Sequence, residues 1–525
     1  MPERTSILGG DSGSRGILGG LGKRDRIVAA GVALITYLAV GGIPGLIIAV
    51  LAGASVFLVT RELPFGRSLG QIIGSRLLWM IRTRTGKTTF VPVIATIPAE
   101  PEPEPETGKA PRTGRGRARK KKAATTPAAE TQTVRAVPEA IGRIRLLSYP
   151  HPAGGELAVL VHSNPGEPDY LSAVMEIEGQ PSGITREEDI WDTAEAFGRM
   201  LATCAGTTSL IKELQFLTRI VPVDPAAHEW YIVNNHAQGV PRELFESYAG
   251  LLGEAQQSLE QHRNYIIARI PFSVGFVEAA RDLGGQPGDD MVRCQIVDME
   301  MGRLASLSAG ARQNPVRLLG PRRLAALLRS MQDPDYYVDD LRDVDFAHCW
   351  QESRAERRQV ITNGRWATRV ASVPADAVTL EPVHMRWLSP LLIGVQPAVV
   401  RTLSVNLRLE PAKRARSEAR RDAGEDRGKL IANREGGKIT DGGDLSQATA
   451  SMRRLDDLRP GSGHAGVRWN MCLSVTASEK TMRRASDLIT DKAGECGLSS
   501  LRWFDGAHDL AQVFTWPLAR GMRQR

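Results

Sequence analysis

The stretch Arg82-Thr83-Arg84-Thr85-Gly86-Lys87-Thr88-Thr89-Phe90 ends in the letters that close a nucleotide-binding loop. Such a loop needs G-x-x-x-x-G-K-[ST]. Its first glycine lets the chain wrap so that backbone N–H groups converge on the phosphates while the lysine reaches the terminal ones. The first-glycine position is Ile81, and no glycine occurs between Gly74 and Gly86. Leu77, Leu78 and Ile81 have helical spacing, where a phosphate loop would follow a buried strand. The motif is therefore half present, and the segment reads as a basic stretch where a helix runs into the strand "TTFVPVIA".

Other chemistry is equally sparse. Cys204, Cys294, Cys349, Cys472 and Cys496 are scattered without a C-x-x-C pair, which argues against a zinc ribbon and a disulfide framework. The nine histidines form no H-x-x-x-H pair. Asp333, Asp335, Asp339, Asp340, Asp343 and Asp345 gather acid as a cation site would, yet no turn glycine or closing glutamate matches a calcium loop. Ser163 lacks the G-x-S-x-G turn, and Asp224, His228, Glu229 and His236 are neighbours in sequence only. No catalytic residue, cofactor site or metal site is assigned, and the expectation is a non-enzyme.

Between Arg26 and Arg61 run thirty-four uncharged residues. As one helix they would rise about 50 Å, against a hydrocarbon core of roughly 30 Å. Gly41, Gly42, Pro44 and Gly45 break the run at its centre. Lys23, Arg24 and Arg26 precede it; Arg61, Arg67, Arg82, Arg84 and Lys87 follow. Positive charge on both flanks favours an even number of spans. The expectation is a two-helix transmembrane hairpin at 27–60, behind a tail at 1–26. It puts the protein in the cytoplasmic membrane as a multi-pass protein, with both termini and the soluble region in the cytoplasm.

A juxtamembrane basic amphipathic segment (61–97) leads to a Pro/Glu and then Arg/Lys linker (98–133) too poor in apolar bulk to order itself. Its cations Arg115, Arg117, Arg119, Lys120, Lys121 and Lys122 suit membrane lipid headgroups or nucleic acid such as DNA. The remainder has ordinary globular composition, 42% hydrophobic and 24% charged, so it should fold. It reads as α+β. A first unit (134–273) opens with a hairpin around Asn164-Pro165-Gly166 and continues helix, strand, helix, strand, the split β-α-β order with helices on one face. A helical region (274–365) follows. A second unit (366–525) holds the strand "VVRTLSVNLRLEP", a helical hairpin from Ala412, and the strand "HAGVRWNMCLSVTAS".

The stretches "VHMRWLSPLLIGVQPAVVRTLSVNLRLEPAKRARSEARR", "GHAGVRWNMCLSVTA" and "WPLARGM" carry a resemblance. The chain resembles actinobacterial membrane proteins encoded with the conjugative transfer genes of integrative elements. More distantly, its soluble part is similar to the amino-terminal, non-motor half of type IV secretion traffic ATPases. The hairpin is similar to the small inner-membrane subunit often fused to them. No complete phosphate loop occurs in this chain. The resemblance implies a non-catalytic, membrane-anchored component of a conjugative DNA-transfer or secretion apparatus, oligomeric within a complex, docking a separate motor ATPase and other channel subunits. The alternatives are a type VII secretion core component and a membrane-tethered nucleic-acid-binding protein.

Overall fold

The computed structural model describes residue 48 and residues 69–522, apart from 93–133 and short gaps at 136, 153, 180–185, 224–225, 236–238, 259, 340–343, 380–382 and 437–442. In chain order the elements are helix α1 (Leu69–Arg84), strands β1 (Thr89–Pro92), β2 (Val134–Arg135), β3 (Ile144–Pro150), β4 (Glu156–His162) and β5 (Tyr170–Ile177), and helix α2 (Glu187–Cys204). Next come β6 (Glu213–Pro222), α3 (Ala226–Asn235), α4 (Arg242–Ser258), β7 (Glu260–Pro271), α5 (Val274–Asp282), α6 (Asp290–Gly310), β8 (Pro315–Leu318) and α7 (Pro321–Gln332). Then follow β9 (Ser353–Ala355), β10 (Val360–Thr362), β11 (Trp366–Val373), β12 (Val400–Glu410), α8 (Ala412–Glu435), α9 (Gly443–Asp457), β13 (Gly466–Ser478), α10 (Met482–Glu495) and β14 (Arg502–Trp503).

The described strands join one sheet in the order β2-β1-β9-β10-β11-β13-β12-β6-β7-β5-β4-β3, with β14 beside β11 and β8 beside β5. Among the described residues, only β1 and β2 pair in parallel. This corrects the expected pair of split β-α-β units. Strand β6 lies between β7 and β12, and its antiparallel register with β12 runs from Glu213↔Arg408 to Ile220↔Arg401. The two halves of the sequence thus share one continuous ladder. The region 274–365 is also less helical than its apolar spacing suggests, since β8, β9 and β10 lie within it.

Helices cover both faces, not one. In β4, Leu157, Val159 and Val161 join Met200, Phe276, Val297 and Leu304 from α2, α5 and α6 on one side. Ala158 and Leu160 join Leu324, Leu327 and Leu328 of α7, with Trp350 and Trp516, on the other. The two-residue alternation of a strand makes both cores from one sequence, which is why β4 is apolar at nearly every position. Beyond β6, α10 packs Met482, Ala485 and Ile489 on Leu403, Leu473 and Val475.

No helix among the described residues is long and apolar enough to cross a membrane. The longest, α8, has 24 residues, of which thirteen are charged. Helix α6 carries Arg293, Asp298, Glu300 and Arg303 along its length, and α1 has only 16 residues. The multi-pass membrane placement is corrected on this finding, and the membrane, conjugation and secretion terms attached to it find no support in the described residues. The expected hairpin at 27–60, with Gly41, Gly42, Pro44, Gly45 and the flanking Lys23, Arg24, Arg26, Arg61 and Arg67, lies outside the described residues. So do Arg115, Arg117, Arg119, Lys120, Lys121 and Lys122.

Candidate functional site

The half motif sits at the β2–β1 end of the sheet. Helix α1 delivers it, and Gly86 turns the chain at φ +66° into β1, which pairs with β9. Arg82 is buried on Asp509. Lys87 Nζ donates to Glu139 Oε1 at 2.8 Å. Both side chains are committed to carboxylates within the fold, and Arg84 alone of the three is exposed without an ion pair among the described residues. The shallow cleft beside them is lined by Lys87, Thr88, Thr89, Glu139 and Asp509. Two carboxylates on its rim oppose the entry of a polyphosphate.

The acidic cluster also dissolves into pairs. Asp339 accepts from Arg263 and Arg323 at 2.6 and 2.7 Å. Asp335 takes Arg365 and the Trp366 indole, and Asp345 holds His348. Asp340 and Asp343 lie outside the described residues. No group of three or more metal-ligating side chains occurs among the described residues. The thiols are buried. Burial pushes Cys204 and Cys294 up to about 11 and Cys472 up to about 12, leaving them without thiolate character near neutral pH.

The last segment of the chain is a strap across the α7 face of the sheet. Gln215 donates to Ser404 Oγ at 2.9 Å, Phe514 O at 3.3 Å and Trp516 O at 2.9 Å, and its Oε1 accepts from Ala519 N at 2.8 Å. Arg520 reaches Ala140 O and Ile141 O, both at 2.8 Å. Arg269 donates to Ala519 O and lies 3.5 Å above the Tyr170 ring. His162 stacks on Tyr170 at 4.1 Å and bonds Ser172. The "WPLARGM" that sequence alone marked only by resemblance is thus a structural tie.

Burial, then the nearby Arg520 and Arg269 charges, hold His162 well below its ordinary 6.5. Burial also lowers His508, against the pull of Asp505. Both stay neutral in the fold while the unfolded chain takes up protons below about pH 6.5. Their contribution to stability is therefore complete above that pH and is lost as pH falls. Unfolding free energy should fall as pH drops below 6.5, by at most about 1.4 kcal/mol per pH unit for each histidine that remains neutral in the fold. Urea midpoints at pH 7.5, 6.5 and 5.5 check this, and His162→Gln should flatten part of the slope. A midpoint unchanged from 7.5 to 5.5 would contradict it.

What the fold leaves uncovered is the helical insert between β6 and β7. In α3, Trp230 and Tyr231 are 67% and 60% exposed; in α4, Leu244 and Leu251 are 62% and 61% exposed. Phe245 and Tyr248 add to this face. Leu244, Tyr248 and Leu251 follow the i, i+4, i+7 spacing of one helix face, while the Arg242–Glu246 pair sits on the opposite one. Sequence reading found this helix and missed its importance. Apolar periodicity announces a covered face without saying what covers it, and from Arg242 to Leu251 every residue of α4 is exposed. Exposed apolar side chains rich in aromatics are the composition of an interface centre. No family model matches this chain and no curated protein matches it in sequence, so the geometry carries the functional reading.

Proposed function

We propose that this protein is a non-catalytic scaffold whose α3–α4 insert docks a separate motor ATPase. The observation that carries this reading is the exposed face of Trp230, Tyr231, Leu244 and Leu251. Each such side chain, if buried by a partner, contributes roughly 1.5–3 kcal/mol. The choice of a motor rests on the resemblance to the non-motor half of such ATPases, together with a half motif whose lysine is already spent on Glu139.

A photo-crosslinking residue placed at Leu251 of the full chain, in its native cells, tests this. The expected product is one partner bearing a complete G-x-x-x-x-G-K-[ST] loop. Leu251→Asp should weaken that association at least ten-fold, about 1.4 kcal/mol, and leave the melting temperature nearly unchanged because the site is already solvated. Crosslinks only to partners without such a loop, or ATP binding by the purified chain at ordinary ATPase affinity, would refute the proposal.

A further inference from the structure

Helix α8 carries eight basic and five acidic residues, and the fold segregates them. Ala415, Ala419, Ala423 and Asp426 are buried in the hairpin with α9. There Asp426 accepts from Gln447 and Ser451, and Asp422 pairs with Arg454. Lys413, Arg420, Arg427 and Arg434 recur every seven residues on another side. A seven-residue step turns a helix 20° short of two full turns, so the four stay within a 60° sector over about 31 Å. All four are exposed, and none makes an ion pair among the described residues. Arg414 and Arg421, also seven apart, form a second row whose charge is partly met by Glu410 and Glu418 at Arg414 and by Asp422 at Arg421.

Between the rows lie Ser417, Gly424 and Gly428, with Ile431 and Glu435 entering the sector in the last turn. Glycine inside a helix is destabilising, and packing does not require it here: a Cβ at Gly424 or Gly428 would meet nothing within 4 Å. The glycines keep a shallow floor clear between the cations. That suits close approach of a backbone ribbon flanked by charge. It does not suit a partner helix, whose acidic heptads would need an apolar seam where this face offers Ile431 alone.

We propose that this face of α8 binds the phosphate backbone of nucleic acid without reading its sequence. The row spans about nine base pairs at 3.4 Å each. Its cations present point charges and guanidinium forks to phosphate oxygens, which position a nucleic acid and carry no sequence information. This goes beyond the docking role and uses a different surface.

The test is binding of a fluorescent 24-base-pair duplex to the full purified chain across a salt series. Four contacts predict a slope of about −3.6 in log K against log salt, and a loss on the order of a hundred-fold between 50 and 200 mM. Arg420→Gln with Arg427→Gln should halve that slope. Gly424→Leu should make the helix more stable yet weaken binding at least ten-fold, a combination that a merely solvated face would not give. Equal binding by both variants and the parent overturns the proposal. So does binding abolished only by deleting residues 109–122, or an acidic helical peptide that competes as well as the duplex.

Discussion

Arg401→Ala is expected to cost about 3–5 kcal/mol, because it strands a buried carboxylate. The Arg401 side chain is wholly buried and Glu260 is 9% exposed. Its Nη1 and Nη2 reach the two Glu260 oxygens at 2.6 and 2.9 Å. Nε donates to Leu391 O at 2.8 Å, and the remaining Nη hydrogens go to Val399 O and Leu392 O, both at 2.9 Å. All five guanidinium donors are therefore satisfied, which no other side chain can reproduce. Arg401→Lys should recover less than half of the loss. Replacing the pair, Arg401→Met with Glu260→Leu, removes the stranded charge and still leaves three carbonyls without donors, so it should fall between the parent and Arg401→Ala. Urea unfolding of the four proteins checks the order. A cost below about 1 kcal/mol for Arg401→Ala would mean that the site admits water. The pair also bears on function, since Glu260 begins the strand that follows α4 directly. Arg401→Ala should therefore loosen the base of the docking insert and weaken partner binding at a site it never touches.

The same residues show which parts of the fold are legible in sequence. The β4–β5 hairpin reads directly because Asn164-Pro165-Gly166 punctuates two apolar runs, and the α8–α9 hairpin because paired glycines interrupt two charged helices. Strand β12 reads as a strand, but its pairing with β6 does not. Nothing local relates Leu217 to Ser404, and the polar residues that meet there, Gln215, Ser404 and Asn406, look in sequence like a solvated strand face. They are buried because the strap covers them, some three hundred residues from β6 along the chain. The α4 stripe failed in the opposite direction: its period implied a core contact, and Leu244 and Leu251 are left more than 60% exposed. Period gives the element and the face, whereas cover is a long-range property. The partner of Arg82 is hidden for the same reason, since Arg82 and Asp509 are 427 positions apart.

Ending the chain after Thr515 should abolish cooperative folding, the largest effect predicted for this protein. Trp516 is 5% exposed and lies 6.0 Å from Trp350 in the α7-side core. Trp516→Ala alone should cost about 3–5 kcal/mol, comparable to a large part of the net stability of a typical domain. The truncation removes Leu518 and Ala519 from the same core and deprives several buried polar groups of partners. The Gln215 amide loses Trp516 O and Ala519 N, Tyr170 loses Leu518 O, and Arg269 loses Ala519 O. A buried polar group left unpaired costs about 1–3 kcal/mol, and water can enter only by opening the core. The expected product binds a hydrophobic dye and melts without a sharp transition. Adding residues 510–522 as a peptide should restore the transition. Arg520→Ala in that peptide should weaken rescue at least ten-fold, because Arg520 alone ties the strap to Ala140 and Ile141. A truncated chain that still melts sharply near the parent temperature would show that the sheet holds without its strap. The long ladders among β6, β7, β12 and β13 would then be sufficient to join the two halves of the sequence.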